Sequence, residues 1–394
     1  MKRDVIGEHM FSMAHIFKTL ESWFWWETMW MPANVTWADF EDCDGYVFPK
    51  PHQLYAILPF TLVLLIIRFF IEKYVALPLA KVLDVKSVRR VKLQPNSVLE
   101  AYFQSCTRHP SQSEMLRLAK KCDWTDHLVQ KWFKRRRNLE IPTMVQKFKE
   151  SCWRFTFHIS SSIAGAIFLY DKPWFYDIWQ VWVSYPYQSL LPFQYWYYMT
   201  EISFYCSLLC TLGIDNKRKD FMAQVVHHLI AVGLMSWSWC GNYVRIGMLV
   251  IFIHDASDFW LEAAKMFNYA RWERTCNVLF IIFSVMFFVT RIILFPFWIL
   301  RATIVLPLYY STTPVIVYFL FNGQLLVLQG LHLYWGSLIL NVLRKFIFVH
   351  HLKDDRSDEE EEDSLSDTEE KHVKNGSKNG CGLRKSCYLK NNNH

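Results

Sequence analysis

Between Arg301 and Arg344 the chain carries no acidic or basic side chain, and only His332 breaks the run with an imidazole. A water-facing surface of that length needs charge, whereas a helix facing hydrocarbon must exclude it. A spanning helix takes about 20 mostly apolar residues. On that scale seven stretches read as spans: 54–71, 155–169, 194–214, 225–244, 246–266, 275–300 and 314–342. The expected fold class is therefore all-α, a polytopic membrane protein.

The remaining charge is segregated. Residues 81–140 hold fourteen Lys/Arg against six Asp/Glu, and residues 354–370 hold eleven acids against one base. The net +7 of the 394-residue chain sums these unlike parts and identifies no partner. With 52% hydrophobic residues the chain is too apolar for a disordered protein. None of the ten cysteines forms a CxxC pair, so neither a zinc knuckle nor a disulfide framework is supported. Cys206 and Cys210, one helical turn apart, read as small buried thiols. Met1 to Leu20 shows no cleavable signal pattern.

Basic loops set the orientation. With seven spans, 72–154, 215–220, 265–274 and Arg344-Lys345 all lie on one side, which positive-inside makes cytosolic. The N-terminus is then luminal and the C-terminus cytosolic. Asn34-Val35-Thr36 agrees, because this N-glycosylation sequon is usable only in a lumen. Trp23, Trp25, Trp26, Trp30 and Trp37 before the first span, and Trp174, Trp179, Trp182 and Trp196 around the second luminal loop, read as interfacial belts.

The cytosolic insert, 81–140, reads as three helices. Asn96 or Ser97 can cap the first, through Phe103; Ser113 the second, through Lys121; and Thr125 the third, from Asp126 to Arg137 or beyond. The third reads Val129-Gln130-Lys131-Trp132-Phe133-Lys134-Arg135-Arg136-Arg137-Asn138 and resembles a homeodomain recognition helix. The adenine-reading Asn of homeodomains falls on Arg135 here, so sequence-specific DNA binding is disfavoured. A structural role, or one facing headgroup or other phosphates, is preferred. Residues 346–394 read as a disordered acidic tail in which Ser357, Ser364 and Ser366 resemble acidophilic phosphorylation sites.

Ionisable groups inside a span are costly and mark function. They gather in spans four and five as His227, His228, His254, Asp255, Asp258 and Glu262, with Asn242 and Arg245 at the intervening turn. His227 and His254 each lie about 20 Å from Gly241 along their helices, so an antiparallel pair brings them to one depth. His227 and His228 point about 100° apart, whereas His254 and Asp258 share a face. Adjacent histidines suit joint metal ligation poorly, so no metal is expected; acid–base or nucleophilic catalysis is the preferred reading.

These residues carry a resemblance. His227-His228, Ser236-Trp237, Asn242, Arg245-x-Gly247-x-Leu249-Val250, His254-Asp255-x-x-Asp258, Leu261-Glu262, Ala264-Lys265 and Asn268-Tyr269 resemble the Lag1 motif of the ceramide synthases. So do Asp171-Lys172-Pro173-Trp174, Lys217-Arg218-Lys219-Asp220-Phe221 and Asp354-Asp355-Arg356-Ser357-Asp358. The resemblance implies a TLC-type chamber of six helices preceded by one extra span. It divides the chain into a luminal segment 1–53, a first span 54–72, the insert 81–140, a TLC domain 141–345 with the Lag1-like motif at 227–269, and the tail.

It further implies an endoplasmic reticulum enzyme transferring a fatty acyl chain from acyl-CoA, its co-substrate, to sphinganine or sphingosine, with no cofactor. Membrane lipids surround it, and a homo- or heterodimer with related synthases is implied by the family alone. Lys217, Arg218 and Lys219 are candidates for the CoA phosphates, with Asn242, Arg245 and Glu262 as further substrate contacts. One of His227 and His228 is the base or nucleophile, oriented by Asp255 or Asp258; His227 with Asp258 is the preferred couple. The Trp-rich N-terminus, Leu331-His332-Leu333-Tyr334-Trp335-Gly336 and the tail are most similar to members using very long or ultra-long chains. A non-catalytic lipid-binding or sensing protein with a nucleic-acid- or partner-binding insert is the alternative.

Overall fold

The computed structural model describes residues 15, 18–19, 21–43, 45–85, 93–140, 143–213, 215, 220–309 and 316–349. The expected sites Lys217, Arg218, Lys219, Ser357, Ser364 and Ser366 lie outside the described residues. Among the described residues the architecture is helical, and one isolated bridge, Cys43 to Tyr46, is the only extended pairing.

Helix α1, Ile57–Ile71, runs on through a π turn at Glu72–Ala76 into Leu77–Val82. The turn precedes Pro78, which has no N–H for the α ladder. Three short helices follow: α2, Ser97–Ser105; α3, Gln112–Cys122; and α4, Asp126–Glu140. Then come α5, Met144–Leu169; α6, Pro192–Thr211; α7, Phe221–Cys240; and α8, Val244–Tyr269. Helix α9, Glu273–Phe287, continues with π winding over Phe288–Leu300, where Pro296 sits inside the helix. The last helix, α10, spans Ile316–Val349.

Long helices stand at all seven stretches expected to span. Four are long and apolar enough to cross a membrane: 51–82, 221–240, 273–309 and 316–347. Helices α5, α6 and α8 are 26, 20 and 26 residues long, but charged and polar residues interrupt their apolar sequence. Helix α5 starts eleven residues before the expected Phe155, because Thr143 caps it by accepting from Gln146 N at 3.2 Å. Its first turns therefore bury Lys147, Glu150 and Ser151.

The described residues from 15 to 85 and from 143 to 349 form one unit. Its main core joins Trp153, Tyr198, Phe204, Trp239, Leu249, Phe295 and Leu325 across α5 to α10. Leu58, Leu62, Val63, Ile66, Phe69 and Phe70 stand exposed on α1, a surface suited to hydrocarbon rather than water. The tryptophans are only partly a belt. Trp23, Trp26, Trp179 and Trp196 are exposed, but Trp30, Trp174 and Trp182 are buried. Trp30 stacks on Trp25 and Trp237 with centroids at 5.3 and 5.0 Å, and its Nε1 donates to Phe24 O at 2.6 Å. An indole whose N–H finds a carbonyl can enter the core. Cys206 is half-buried and Cys210 exposed, so the expected burial of both thiols does not hold; a weakly polar thiol tolerates an apolar exterior.

The described residues 93–140 belong to the second unit. Leu99, Phe103, Leu118, Ala119, Val129, Trp132 and Phe133 form its core. Asn96 caps α2, its Oδ1 accepting from Val98 N and Leu99 N at 3.1 Å. Ser111, not the expected Ser113, caps α3: Glu114 N donates to Ser111 Oγ and Ser111 N to Glu114 Oε2, a reciprocal box that only Ser111 can complete. Trp132 Nε1 donates to Gln94 O at 2.9 Å, so the Trp-Phe pair of the resembled helix has a packing role.

Candidate active site

The turn at Gly241 and Asn242 folds α8 back along α7. It brings the rings of His227 and His254 to 6.4 Å between centroids and 27° between planes. His228 lies 5.8 Å from His227 by the same measure. Tyr205 of α6 packs against both, at 6.1 and 5.7 Å. His227, His254, Asp255 and Glu262 are buried. The Nδ1 atoms of His227 and His228 are buried without a hydrogen-bond partner.

The two aspartates of α8 face different neighbours. Asp255 Oδ1 is 2.9 Å from His158 Nδ1 of α5, and Asp255 Oδ2 accepts from Ser161 Oγ at 2.6 Å. Ser161 also contacts Glu201 Oε1 of α6. Asp258 Oδ1 accepts from Arg291 Nη2 of α9 at 2.6 Å, and the same nitrogen reaches His254 O at 3.2 Å. The preferred couple of His227 with Asp258 is therefore not a hydrogen-bonded pair; a guanidinium occupies the carboxylate. Both aspartates are consequently held as acceptors by donors on other helices, which fits a role in orienting the helix that carries His254.

Glu262 lies one turn beyond Asp258 and takes Lys265 Nζ at 2.5 Å. Asn242 and Arg245 are not brought to the histidines. Asn242 adopts φ 56°, a left-handed turn conformation that Asn tolerates, and donates to Pro186 O and Gln188 O. Arg245 donates to Gln180 O and Val183 O. Both fasten the loop before α6 to the Gly241 turn, about 20 Å from His227 by helix rise. Asn34 is exposed, with φ 66°.

Near the other end of α7, Asp220 Oδ2 accepts from Trp335 Nε1 at 3.1 Å, and the Trp335 ring meets His227 edge-on at 5.4 Å. Asp215 binds Arg68 of α1 at 2.7 Å and Arg154 of α5 at 3.5 Å. These ion pairs flank the loop that carries the expected phosphate contacts.

His158, Ser161, Glu201, Arg291, His332 and Trp335 join the polar set without having been named as site residues. All but Ser161 and Trp335 are ionisable groups inside apolar runs, so the rule that singled out spans four and five also applies to them. Among the described residues, no three His, Cys, Asp or Glu side chains are grouped to hold a metal ion.

A family model described as TLC domain matches residues 147–341, and one described as homeodomain matches residues 89–140. Ceramide synthase 3 of Homo sapiens is 53% identical over 346 residues, 88% of this chain and 90% of that protein. Ceramide synthase 3 of Mus musculus is 52% identical over 345 residues, again 88% and 90%. Ceramide synthase 4 of Mus musculus is 44% identical over 366 residues, 92% and 93%. With the helical unit, the insert and the histidine–aspartate cluster in place, identity at this level over nearly the full length shows that the chain belongs to the ceramide synthase family of TLC-domain membrane proteins.

Proposed function

We infer that this multi-pass membrane protein is a sphingoid-base N-acyltransferase that uses acyl-CoA. The reaction forms an amide bond between the fatty acyl carbon and the sphingoid nitrogen, breaks the thioester C–S bond, and leaves the CoA thiol and a (dihydro)ceramide. The observation that carries the site assignment is the convergence of His227, His228 and His254 inside the helical unit, with Asp255 and Asp258 on the same helix as His254. His227 Nδ1 and His228 Nδ1 are buried without a protein hydrogen-bond partner, which supports a reactive role for this pair over a purely structural one.

We assign His227 as the reacting residue, with His228 beside it. As a base it takes the proton of the sphingoid amine. As a nucleophile it accepts the acyl group, releases CoA, and passes the acyl group to the amine. Asp258, held by Arg291, fixes the face of α8 that carries His254 and supplies His227 with no free counter-charge. Lys217, Arg218 and Lys219 are the proposed contacts for CoA phosphates, supported by their charge and their place just before α7.

The proposed location is the endoplasmic reticulum membrane, N-terminus luminal and C-terminus cytosolic, supported by the basic loops on one side. Very long or ultra-long acyl chains are the proposed donors, on sequence resemblance, and association with a second synthase rests on the family alone. The insert is proposed to face phosphate groups rather than read bases, supported by Arg135 at the adenine-reading position.

The test is purified full-length protein incubated with sphinganine and acyl-CoAs of graded length. Amide should form with the longer donors and fall at least about 100-fold in His227→Ala, the range for a lost acid–base group. Near-normal activity in that variant removes His227 from the role. Labelled acyl-CoA without sphinganine distinguishes the routes, because only the nucleophile route leaves label on the protein.

A further inference from the structure

Helix α10 carries a histidine outside the 227–269 stretch, and no role has been given to it. His332 is 0% exposed. Its Nε2 lies 3.0 Å from Nε2 of His254, with ring centroids 5.0 Å apart. Phe295 meets both rings edge-on, at 4.8 Å for His332 and 5.8 Å for His254. The His332 ring is thus fixed from two sides.

Elementary donor counting assigns the protons. His254 Nδ1 is 2.6 Å from Val250 O, and a carbonyl only accepts, so Nδ1 carries the hydrogen. In a neutral imidazole Nε2 then has the lone pair. The 3.0 Å contact needs one donor, so the hydrogen sits on His332 Nε2; His332 Nδ1 then accepts, from the Gln329 side-chain amide 3.4 Å away turned so that its NH2 faces the ring. Both nitrogens of His254 are engaged, while Nδ1 of His227 and of His228 is not.

We propose that His332 is a positioning residue for acyl transfer. By donating Nε2–H to His254 Nε2 it fixes the tautomer and plane of His254 against His227. It also occupies the lone pair through which His254 could compete as base or nucleophile. The division of labour within the histidine cluster follows: His254 is an oriented wall, and the His227-His228 pair is left to react. The inference rests on the acyltransferase reading of the same site.

The experiment compares wild type, His332→Leu, His332→Gln, His254→Leu and the His254→Leu/His332→Leu pair, all as full-length chains in detergent, with acyl-CoA and sphinganine. His332→Leu should lower kcat about 10- to 100-fold, the scale for a misplaced reacting group, with KM for acyl-CoA within about twofold. His332→Gln, whose amide N–H can still donate, should recover most of that loss. On the His254→Leu background, His332→Leu should add no further loss. A His332→Leu enzyme with kcat within about twofold of wild type overturns the proposal, as does a Gln variant no better than Leu, or losses that multiply in the double variant.

A measurement on wild type covers the case in which His332→Leu does not fold. With ¹⁵N-labelled histidine, a coupling across an Nε2–H···Nε2 hydrogen bond between two side chains is expected, and its absence overturns the proposal. Wild-type protein that makes no amide from any donor overturns the acyltransferase reading instead, and the coupling still decides the geometry.

Discussion

Arg291 of α9 donates from Nη2 to Asp258 Oδ1 of α8 across 2.6 Å, and the same nitrogen reaches the carbonyl of His254. One guanidinium therefore fixes a carboxylate and a backbone turn of the histidine helix together. The Arg291 side chain is 5% exposed and that of Asp258 21%. Removing the cation leaves a carboxylate with little water to replace it. Arg291→Leu should destabilise the protein by roughly 3 kcal/mol, at the lower end for a broken buried pair because Asp258 is partly open. Arg291→Leu/Asp258→Asn should regain much of that stability without regaining activity. Thermal unfolding in detergent alongside amide formation checks both outcomes.

Ser161 lies between two carboxyl groups, contacting Glu201 Oε1 and Asp255 Oδ2. A hydroxyl donates once, so for both contacts to be hydrogen bonds one carboxyl must supply its own proton. An amide at 201 can supply that hydrogen. Glu201→Gln should therefore unfold close to wild type, whereas Glu201→Leu should lose about 1–3 kcal/mol by stranding Ser161 and Asp255. Equal unfolding midpoints for the two variants would rule out this proton count.

Tyr198 reaches Ser238 Oγ at 2.9 Å and Val244 O at 3.2 Å by passing over Gly247. A Cβ at Gly247 would overlap the Tyr198 hydroxyl. This is a close approach between α6 and α8 rather than a turn requirement. Gly247→Ala should cost about 1–3 kcal/mol through overpacking, and Gly247→Ala/Tyr198→Phe should recover part of it. Denaturation midpoints of the single and double variants measure the coupling.

Asn34 is exposed, two residues before a threonine whose N–H and hydroxyl bind Asp39 at 2.7 and 2.9 Å. If the N-terminus is luminal, protein from a eukaryotic membrane carries a glycan there. A mobility shift on endoglycosidase treatment, lost in Asn34→Gln, is the expected result. Protein from such cells that shows no shift would count against the proposed orientation.

In the insert, Arg136 beside Glu100 holds that carboxyl below the usual glutamate range. A carboxyl lowered on folding contributes stability above its unfolded value and loses that contribution as pH falls through its folded value. Acid should therefore weaken the contact of α2 with α4, beginning below about pH 4. Glu100→Gln should remove this pH dependence. Amide hydrogen exchange over 97–105 in the full-length chain, followed with pH, reads the effect.

Much of this arrangement is legible in residue order. Apolar runs place the long helices, because hydrocarbon tolerates only helices whose backbone is internally satisfied. The spacing of His227 and His254 about Gly241 anticipates their common depth, because rise per residue is constant. The Trp132-Phe133 pair marks the insert's core in the sequence itself. Local periodicity, however, says how a helix is faced but not what stands opposite it. Asp258 meets Arg291, 33 residues away, rather than His227, and Asp255 meets His158, 97 residues away. His254 meets His332, 78 residues away. Those partners follow from the rotation of α5, α9 and α10 about their own axes, which is set by packing along their whole lengths. The identity of the chemical groups was thus written in the chain, while their pairing arose from how the six helices α5 to α10 close around them.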